Sequence, residues 1–197
     1  PPVQIKDLME HSNLGFEDRE DAVAMVGRIS QEKRIETVIE AIALSKTKPK
    51  LVVVGGLIPT KMRYYEMLKR LAKELSVEFE AHPNAPRAEL VRVVSSSKVF
   101  VHATVGEQFG IAVVEGMAAG TPVIVHKSGG PYEDIIDRGA YGRFFEGPED
   151  LAEEIDRLVA DPETWRVYHE RAISRALQYG EDAFKGNLLA LVEALSG

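Results

Sequence analysis

The sequence contains no cysteine, and this absence excludes several kinds of site at once. Without cysteine the chain of 197 residues has no disulfide framework, no zinc–thiolate site and no cysteine nucleophile. The five histidines are scattered along the chain without the spacing of metal ligands, so we predict no bound metal. Because a cysteine-free chain suits a reducing compartment, we also expect a cytoplasmic location.

Long apolar runs and a positive charge excess are missing as well. The longest apolar stretches, such as 50–55, are far too short to cross a bilayer. The glycine-rich dinucleotide pattern, the Walker lysine motif and the esterase serine motif do not occur. The net charge is −7, from 24 basic and 31 acidic residues, which disfavours a bulk electrostatic grip on nucleic acid. We therefore predict no nucleic-acid partner.

What the sequence does contain is a regular alternation of short apolar runs and amphipathic helical stretches, typical of a single domain over 1–197. Such alternation indicates right-handed βαβ units, and hence an α/β fold with a doubly wound, Rossmann-like parallel sheet of about six strands. Residues 1–20 are polar and weakly patterned, which predicts an extended segment leading into the domain. The predicted strands are 22–26, 51–54, 77–79, 99–102, 121–125 and 143–145. The predicted helices are 35–43, 62–75, 86–96, 110–119, 133–137, 148–160, 162–179 and 182–195, the last with an apolar stripe expected to pack on the domain.

Ligands of such folds bind beyond the carboxyl ends of the strands, where residues 103–115 pass from a predicted strand to a helix that starts near Gly110. Four amides lie at this helix N-terminus, without intrahelical acceptors and at the positive end of the dipole: those of Phe109, Gly110, Ile111 and Ala112. Such a terminus attracts a phosphate or pyrophosphate, and the missing side chain of Gly110 allows close approach.

Two glutamates flank this helix start. Glu107 precedes it on a loop, where its carboxylate can accept hydrogen bonds from sugar hydroxyls. Glu115 lies inside an otherwise apolar helix and is costly to bury without a partner, which a ribose diol can supply. Two simpler interpretations stay open: Glu107 as a solvated loop acid and Glu115 as a structural ion-pair partner.

Two cations follow the first predicted strand. Arg28 and Lys33 can reach the same cleft and neutralise a diphosphate leaving group, with Ser30 between them as a candidate helix cap. The alternative is that both are ordinary surface charges. Gly55 ends the next strand, where it serves either a tight turn or the close approach of a ligand. His102 and His126 also end strands near the cleft, and we interpret both as packing residues.

Together these residues resemble the C-terminal, donor-binding domain of retaining GT-B glycosyltransferases of the group 1, or family 4, type. That family includes relatives of sucrose and glycogen synthases and many mannosyltransferases. The resemblance runs from Pro1 to about Leu195, and its strongest signature is the E-x7-E element from Glu107 to Glu115. Further matches occur in the family's order at 26–28 with Lys33, 54–56, 99–101, and 129–130 with Glu133.

The resemblance implies roles for individual residues. Arg28 and Lys33 would bind the donor diphosphate and, with Glu107, would form the catalytic set. Glu107 would hold the transferred sugar and Glu115 the ribose, and no metal or other cofactor would be required. The implied donor contacts are Gly27, Arg28, Lys33, Gly55, Asn84, Ala85, Glu107, Phe109, Gly110, Ile111 and Glu115.

Within the family, residues 84–90, 107–111 and 126–131 look like the mannosyltransferases that extend the dolichol-linked oligosaccharide. This likeness implies a hexosyltransferase that takes GDP-mannose as donor and a lipid-linked or glycan acceptor. The sequence departs from the usual family pattern at 80–82, so a UDP-sugar donor stays open. A GT-B epimerase or phosphorylase, and a non-catalytic regulatory or interaction domain, also stay open.

The resemblance also implies what these residues lack. The family's N-terminal, acceptor-binding domain would be absent from residues 1–197, so the isolated chain would bind a donor weakly and transfer little. In the full-length protein the chain would be cytoplasmic and peripheral to the cytoplasmic membrane face.

Overall fold

A computed structural model describes residues 1–196, in which a six-stranded parallel sheet lies between two layers of helices. The strands follow the order β3-β2-β1-β4-β5-β6 across the sheet. They are β1 Glu20–Val26, β2 Lys50–Gly55, β3 Phe79–Pro83, β4 Ser97–His102, β5 Val123–His126 and β6 Arg143–Phe145. The helices are α1 Lys6–Met9, α2 Ile35–Leu44, α3 Met62–Glu74, α4 Arg87–Ser96, α5 Ile111–Ala118, α6 Pro148–Ala160, α7 Pro162–Ala176 and α8 Glu181–Ser196.

The alternation of side chains along each strand divides the core between the two faces of the sheet. In β1, Val23 and Met25 pack with α2, α3 and α6, whereas Ala22 and Ala24 pack with α4, α5 and α7. Because both faces are covered, apolar residues fill the middle of the central strands, and every residue of β4 is buried. The predicted fold class, a doubly wound parallel sheet of six strands, is confirmed.

The strand order reverses between β1 and β4, and this position determines where the site lies. The chain leaves β1 toward one edge of the sheet and leaves β4 toward the other, so the two loops diverge and open a crevice. The loop at 27–34 and the loop at 103–110 therefore stand side by side.

The N-terminal segment differs from the prediction for 1–20. It is not extended, because it forms α1 and a 3₁₀ turn at Phe16–Asp18 before β1 begins. Val3, Ile5 and Leu8 are buried against the layer that contains α4 and α5. Three apolar residues among polar ones are enough to anchor the segment, and the weak pattern conceals them.

The strand predicted at 77–79 is displaced along the chain. Val77 instead closes the end of α3, where its amide donates to the carbonyl of Ala72 after Ser76 adopts a φ of 57°. The strand starts at Phe79 and continues to Pro83 through polar residues that suit its place at the sheet edge. The edge position explains why the apolar pattern predicts the strand two residues too early in the chain.

Local geometry also changes three smaller predictions. Ser30 does not cap a helix through its side chain, whose hydroxyl donates to the carbonyl of Arg28; a 3₁₀ turn follows and α2 starts only at Ile35. The helix predicted at 133–137 is a π turn at Pro131–Ile135 followed by a 3₁₀ turn. The helix predicted at 162–179 ends at Ala176 and continues as a 3₁₀ turn to Tyr179.

The apolar stripe of α8 does not pack on the domain as predicted. Its large side chains are exposed by 44 to 79% over the described part of the chain, and they are Phe184, Leu188, Leu189, Leu191, Val192 and Leu195. Among residues 1–196, none of the helices combines the length and the apolar composition that a bilayer crossing requires.

Candidate functional site

The candidate site lies at the carboxyl ends of β1 and β4, where the strand order reverses. A small hollow of about 10 Å³ opens there between the two loops. It is lined by Gly27, Arg28, Lys33, His102 and Thr104, together with apolar residues of the strands. The structure thus brings residues that are more than seventy positions apart in sequence to one point of the fold.

Lys33 and Glu107 form an ion pair at this hollow. The ammonium of Lys33 donates to Oε2 of Glu107 at 3.0 Å, and the Lys33 side chain is only 19% exposed. Burial on its own raises the pKa of Glu107, but the hydrogen bond and charge of Lys33 outweigh it and lower the pKa below its ordinary value. The carboxylate is therefore charged at neutral pH and can accept hydrogen bonds.

His102 lies beside the same carboxylate at the end of β4. Its side chain is 4% exposed, and its Nε2 lies 3.6 Å from Oε2 of Glu107. Burial, reinforced by the charge of Lys33, lowers the pKa of His102 to about 4 although Glu107 opposes the shift. The imidazole is buried, as its interpretation as a packing residue requires, but its Nε2 also lies next to Glu107 in the candidate site.

Arg28 lines the hollow with its inner part and extends into solvent. Its side chain is 74% exposed, and its guanidinium lies 3.5 Å from the carboxylate of Glu32 one turn further along. Of the three predicted catalytic residues, the structure therefore joins Lys33 and Glu107 directly and leaves Arg28 at the rim.

The start of α5 forms the second wall of the site. Gly110 precedes the helix with a φ of 93°, and a Cβ atom at this position would lie 2.8 Å from Cγ of Pro131. Ile111 is exposed, and the hydrogen bonds described for residues 1–196 include none donated by the amides of Ile111 and Ala112. Open amides at a helix N-terminus are what the sequence predicts for a phosphate site. The ring of Phe109 packs edge-on against Tyr179 at 5.8 Å, which leaves its backbone as the part available to a ligand.

A glycine pair holds the Glu107 loop in place. The amide of Gly130 donates to the carbonyl of Glu107 at 2.9 Å, and a Cβ on Gly129 or Gly130 would overlap the backbone at 107–108. Ser128 extends the same contact, since its hydroxyl accepts from the amide of Gly106 at 2.9 Å. His126 combines the predicted packing with a bond, because Nδ1 lies 2.8 Å from Oγ of Ser128 while its ring meets Phe145 edge-on.

The loops after β2 and β3 lie next to the first wall. A Cβ on Gly55 would overlap the carbonyl of Gly27, so packing between two backbones is a sufficient reason for glycine at this position. Asn84, with a φ of 56°, donates its amide to the carbonyl of Gly55, and its side chain bonds both backbone groups of Leu57. Ala85 follows and is partly buried. Contact of these residues with a donor stays a prediction.

Glu115 has a partner that the sequence analysis did not identify. Its carboxylate, 12% exposed, accepts a hydrogen bond from Nη1 of Arg87, the first residue of α4. Arg87 also donates to both carboxylate oxygens of Asp7, at 2.8 and 3.1 Å, and to the carbonyl of Gln4. The structure thus shows Glu115 as an ion-pair partner of Arg87, and the ribose role stays a prediction.

One signal in the sequence could have indicated Arg87. A cation at the first residue of a helix opposes the macrodipole and needs a nearby acid to be favourable. The sequence places His102 at the end of a strand near the cleft, but it does not show which face of β4 the ring occupies.

Comparison with known proteins identifies the family. The family described as glycosyl transferases group 1 matches residues 9–175. A Xenopus laevis GDP-Man:Man(3)GlcNAc(2)-PP-Dol alpha-1,2-mannosyltransferase is 30% identical over 99% of this chain, and the chain spans 43% of that relative's length.

Solved structures agree on the fold. The catalytic domain of cholesterol-alpha-glucosyltransferase from Helicobacter pylori is 28% identical, with a TM-score of 0.68 over 80% of this chain and 98% of that one. An Anabaena protein crystallised with UDP and glucose gives a TM-score of 0.78 over 100% of this chain and 55% of that one. That protein is 22% identical, and its likeness shows the fold alone. Since the group 1 model matches most of the chain and the solved structures share its GT-B-type Rossmann-like domain, the chain belongs to the group 1 glycosyl transferases.

Proposed function

We propose that this chain binds a nucleoside-diphosphate sugar and forms the donor-binding half of a retaining hexosyltransferase. The observation that carries the proposal is the ion pair between Lys33 and Glu107 beside the open start of α5. An ammonium and unpaired amides suit a diphosphate, whereas a charged carboxylate suits sugar hydroxyls. One crevice of the fold thus offers complementary groups for the two parts of such a donor.

The same groups can lower the barrier to transfer. The bond between the anomeric carbon and the diphosphate oxygen breaks, a bond to an acceptor oxygen forms, and the proton of the acceptor hydroxyl passes to the departing diphosphate. Negative charge builds up on the departing diphosphate, where fixed donors stabilise it most. An ammonium has three N–H donors, and since Glu107 occupies one of them, Lys33 keeps two for phosphate oxygens. We propose that these donors act without a metal ion.

GDP-mannose is the donor we propose, and a lipid-linked oligosaccharide is the acceptor. The support is the 30% identity to a relative whose name specifies both compounds. Because the chain spans 43% of that relative, we propose that a further segment of the full-length protein supplies the acceptor site. The isolated chain then binds donor but transfers little.

A nucleotide panel tests the donor. Calorimetric titration of the chain with GDP, UDP, GDP-mannose and UDP-glucose should show the guanosine compounds binding more tightly than the uridine compounds. Tighter binding of UDP would correct the base and leave the diphosphate site in place. If none of the four binds at millimolar concentration, donor binding by this chain is wrong.

A matched pair of lysine variants tests the site itself. A hydrogen bond to a charged group contributes about 1.5–3 kcal/mol, so Lys33→Met should weaken GDP binding roughly tenfold or more. Lys69→Met is the control, since Lys69 pairs with Glu66 on the exposed surface of α3. Equal affinities in the two variants would show that Lys33 does not bind the diphosphate.

A further inference from the structure

Two buried polar atoms at the candidate site have no hydrogen-bond partner among the described residues. They are Nε2 of His102, the last residue of β4, and Oγ1 of Thr104, two residues further along the chain. Native proteins satisfy nearly all buried polar groups, so an unpaired one calls for a specific explanation. Both atoms belong to residues that line the hollow below Lys33, which points to a function connected with that site.

The position of His102 next to Glu107 indicates that its function involves the Glu107 carboxylate. Lys33 and His102 both lie next to Oε2 of Glu107, with the ammonium nitrogen at 3.0 Å and Nε2 of the imidazole at 3.6 Å. A separation of 3.6 Å is slightly too long for a hydrogen bond and too short for a bridging water. Polar contacts in ligand-free sites are often long and shorten when the ligand binds. The hollow, which His102 and Lys33 line, provides space of about one water volume in which the ring can adjust.

The charge of the imidazole makes it a suitable partner for a carboxylate that must stay ionised. At neutral pH the ring is uncharged, because burial and the neighbouring Lys33 disfavour protonation. A neutral imidazole carries one N–H, and it can donate this hydrogen without cancelling the carboxylate charge. Lys33 is thereby left to serve both Glu107 and the diphosphate.

We propose that His102 is a positioning residue for the transferred sugar: its Nε2–H donates to Oε2 of Glu107 and fixes the carboxylate in the orientation that accepts sugar hydroxyls. This proposal rests on the proposed function, because it assigns a sugar to Glu107. His102 acts through Glu107 and does not touch the donor. Its removal therefore weakens recognition of the sugar while the nucleoside diphosphate still binds.

The test compares GDP-mannose with GDP in each variant of the chain. His102→Met removes the N–H and keeps an apolar side chain of similar length, whereas His102→Gln retains an N–H donor. We expect His102→Met to lose about tenfold in GDP-mannose affinity and to keep its GDP affinity within about twofold. His102→Gln should recover most of the loss. Glu107→Gln serves as the reference for a variant that lacks the charged carboxylate itself.

The outcomes separate the two proposals. If the wild-type chain binds neither nucleotide, the proposed function fails. If Glu107→Gln selectively loses GDP-mannose and His102→Met does not, the function stands and the role of His102 is wrong. Equal losses of GDP and GDP-mannose in His102→Met would likewise overturn it, because they indicate a merely structural role.

A second measurement needs no His102 variant to fold stably. In ¹⁵N NMR of the wild-type imidazoles, the His102 ring should show a protonated Nε2 whose hydrogen resonance moves when GDP-mannose binds and much less when GDP binds. For the titrations, thermal unfolding of each His102 and Glu107 variant shows whether that variant is folded and can be compared with wild type. A protonated Nδ1 with an unprotonated Nε2 in the GDP-mannose complex would contradict the proposal.

Discussion

Glu107 and His102 show how one site keeps a charged carboxylate beside a neutral imidazole at neutral pH. The carboxylate stays charged because Lys33 offsets the effect of burial, and the imidazole stays neutral because burial and Lys33 act in the same direction. The ammonium thus favours both of these charge states. The site is therefore a small electrostatic unit, in which removing Lys33 should raise the pKa of both Glu107 and His102.

The depressed pKa of His102 makes a prediction about stability. In the unfolded chain a histidine titrates near its ordinary value of about 6.5, whereas in the folded chain the pKa of His102 is about 4. Between these two values the unfolded state binds more protons, so the free energy of unfolding falls as the pH is lowered from 6.5 toward 4. Linkage gives a loss of about 2 kcal/mol between pH 7 and pH 5 from this residue.

Urea unfolding at several pH values measures this effect. Wild type should lose more stability between pH 7 and pH 5 than His102→Gln, and the difference should be about 2 kcal/mol. His126 and His169 have lowered pKa values too, but they are present in both proteins and cancel in the comparison. Parallel stability curves for the two proteins would show that His102 titrates normally in the fold.

Single residues also show how far the sequence could predict the site. Lys33 and Glu107 are predictable because strand ends and a helix start are visible in the amino-acid pattern, and the structure joins them. The neighbours that tune them are not. His102 contacts Glu107 across the turn after β4, and Arg87 contacts Glu115 on another helix, and the amino-acid pattern does not show which acid either residue meets.

Helix α5 depends on the unusual backbone of the residue before it. Gly110→Ala places a Cβ at a φ of 93° and 2.8 Å from Cγ of Pro131. We expect a loss of about 1–3 kcal/mol in stability from the strained backbone, with weaker diphosphate binding because the helix start is displaced. Chemical unfolding and GDP titration measure the two effects.

Gly106→Ala is the matched control for this prediction. Gly106 also has a positive φ, of 66°, but apart from its own chain neighbours no described atom of residues 1–196 lies within 4 Å of a Cβ built there. This variant should carry only the cost of the backbone conformation, about 1 kcal/mol, and should bind GDP like wild type. If both variants behave alike, contact with Pro131 does not hold the helix start.

Arg87 of α4 joins Asp7 of α1 to Glu115 of α5, and these contacts lead to a prediction about ribose binding. Arg87 holds Glu115 while its other nitrogens are bound by Asp7, so the carboxylate is oriented before any ligand arrives. Arg87→Met should release Glu115 and weaken the binding of GDP about fivefold to tenfold. A GDP analogue without the 2′ and 3′ hydroxyls should lose little, because it offers Glu115 nothing to accept from.

The control for this link is Arg92→Met. Arg92 lies on the same helix and pairs with Glu89 at the surface, so its removal should change neither affinity. Equal losses for GDP and its dideoxy analogue in Arg87→Met would place the effect in the fold of α4 rather than at the ribose.

Secondary structure shows where the amino-acid pattern is informative. The central strands β1, β2 and β4 are predictable from continuous apolar runs because both faces of a parallel strand are buried. The prediction misplaces strand β3 because its edge position tolerates polar residues such as Glu80. Helix α1 escapes prediction since its four residues are too few to show a helical period.

At the scale of the whole molecule, parallel topology alone explains why the site lies at the junction of β1 and β4. From β1 the chain continues to β2, and from β4 it continues to β5 on the opposite side of the sheet. The loops after β1 and β4 therefore diverge and cannot cover one another. The fold class therefore locates the crevice from sequence alone. The packing of α8 cannot be predicted in the same way. Its apolar stripe indicates that one face of the helix favours burial, but the sequence does not show which surface buries it.

The exposed stripe of α8 yields a final prediction about the stability of the domain. Leu191 and Leu195 are 57% and 79% exposed, so they add little to the core of residues 1–196. Replacing both with lysine should change the free energy of unfolding by less than about 0.5 kcal/mol per residue, as for ordinary surface positions. Leu158→Ala is the contrast, because Leu158 is fully buried under the sheet and its truncation should cost about 2–5 kcal/mol. Urea denaturation of the three proteins measures the difference. A loss in the double lysine variant that approached the loss in Leu158→Ala would mean that the stripe packs on this domain in solution, as its sequence pattern predicts.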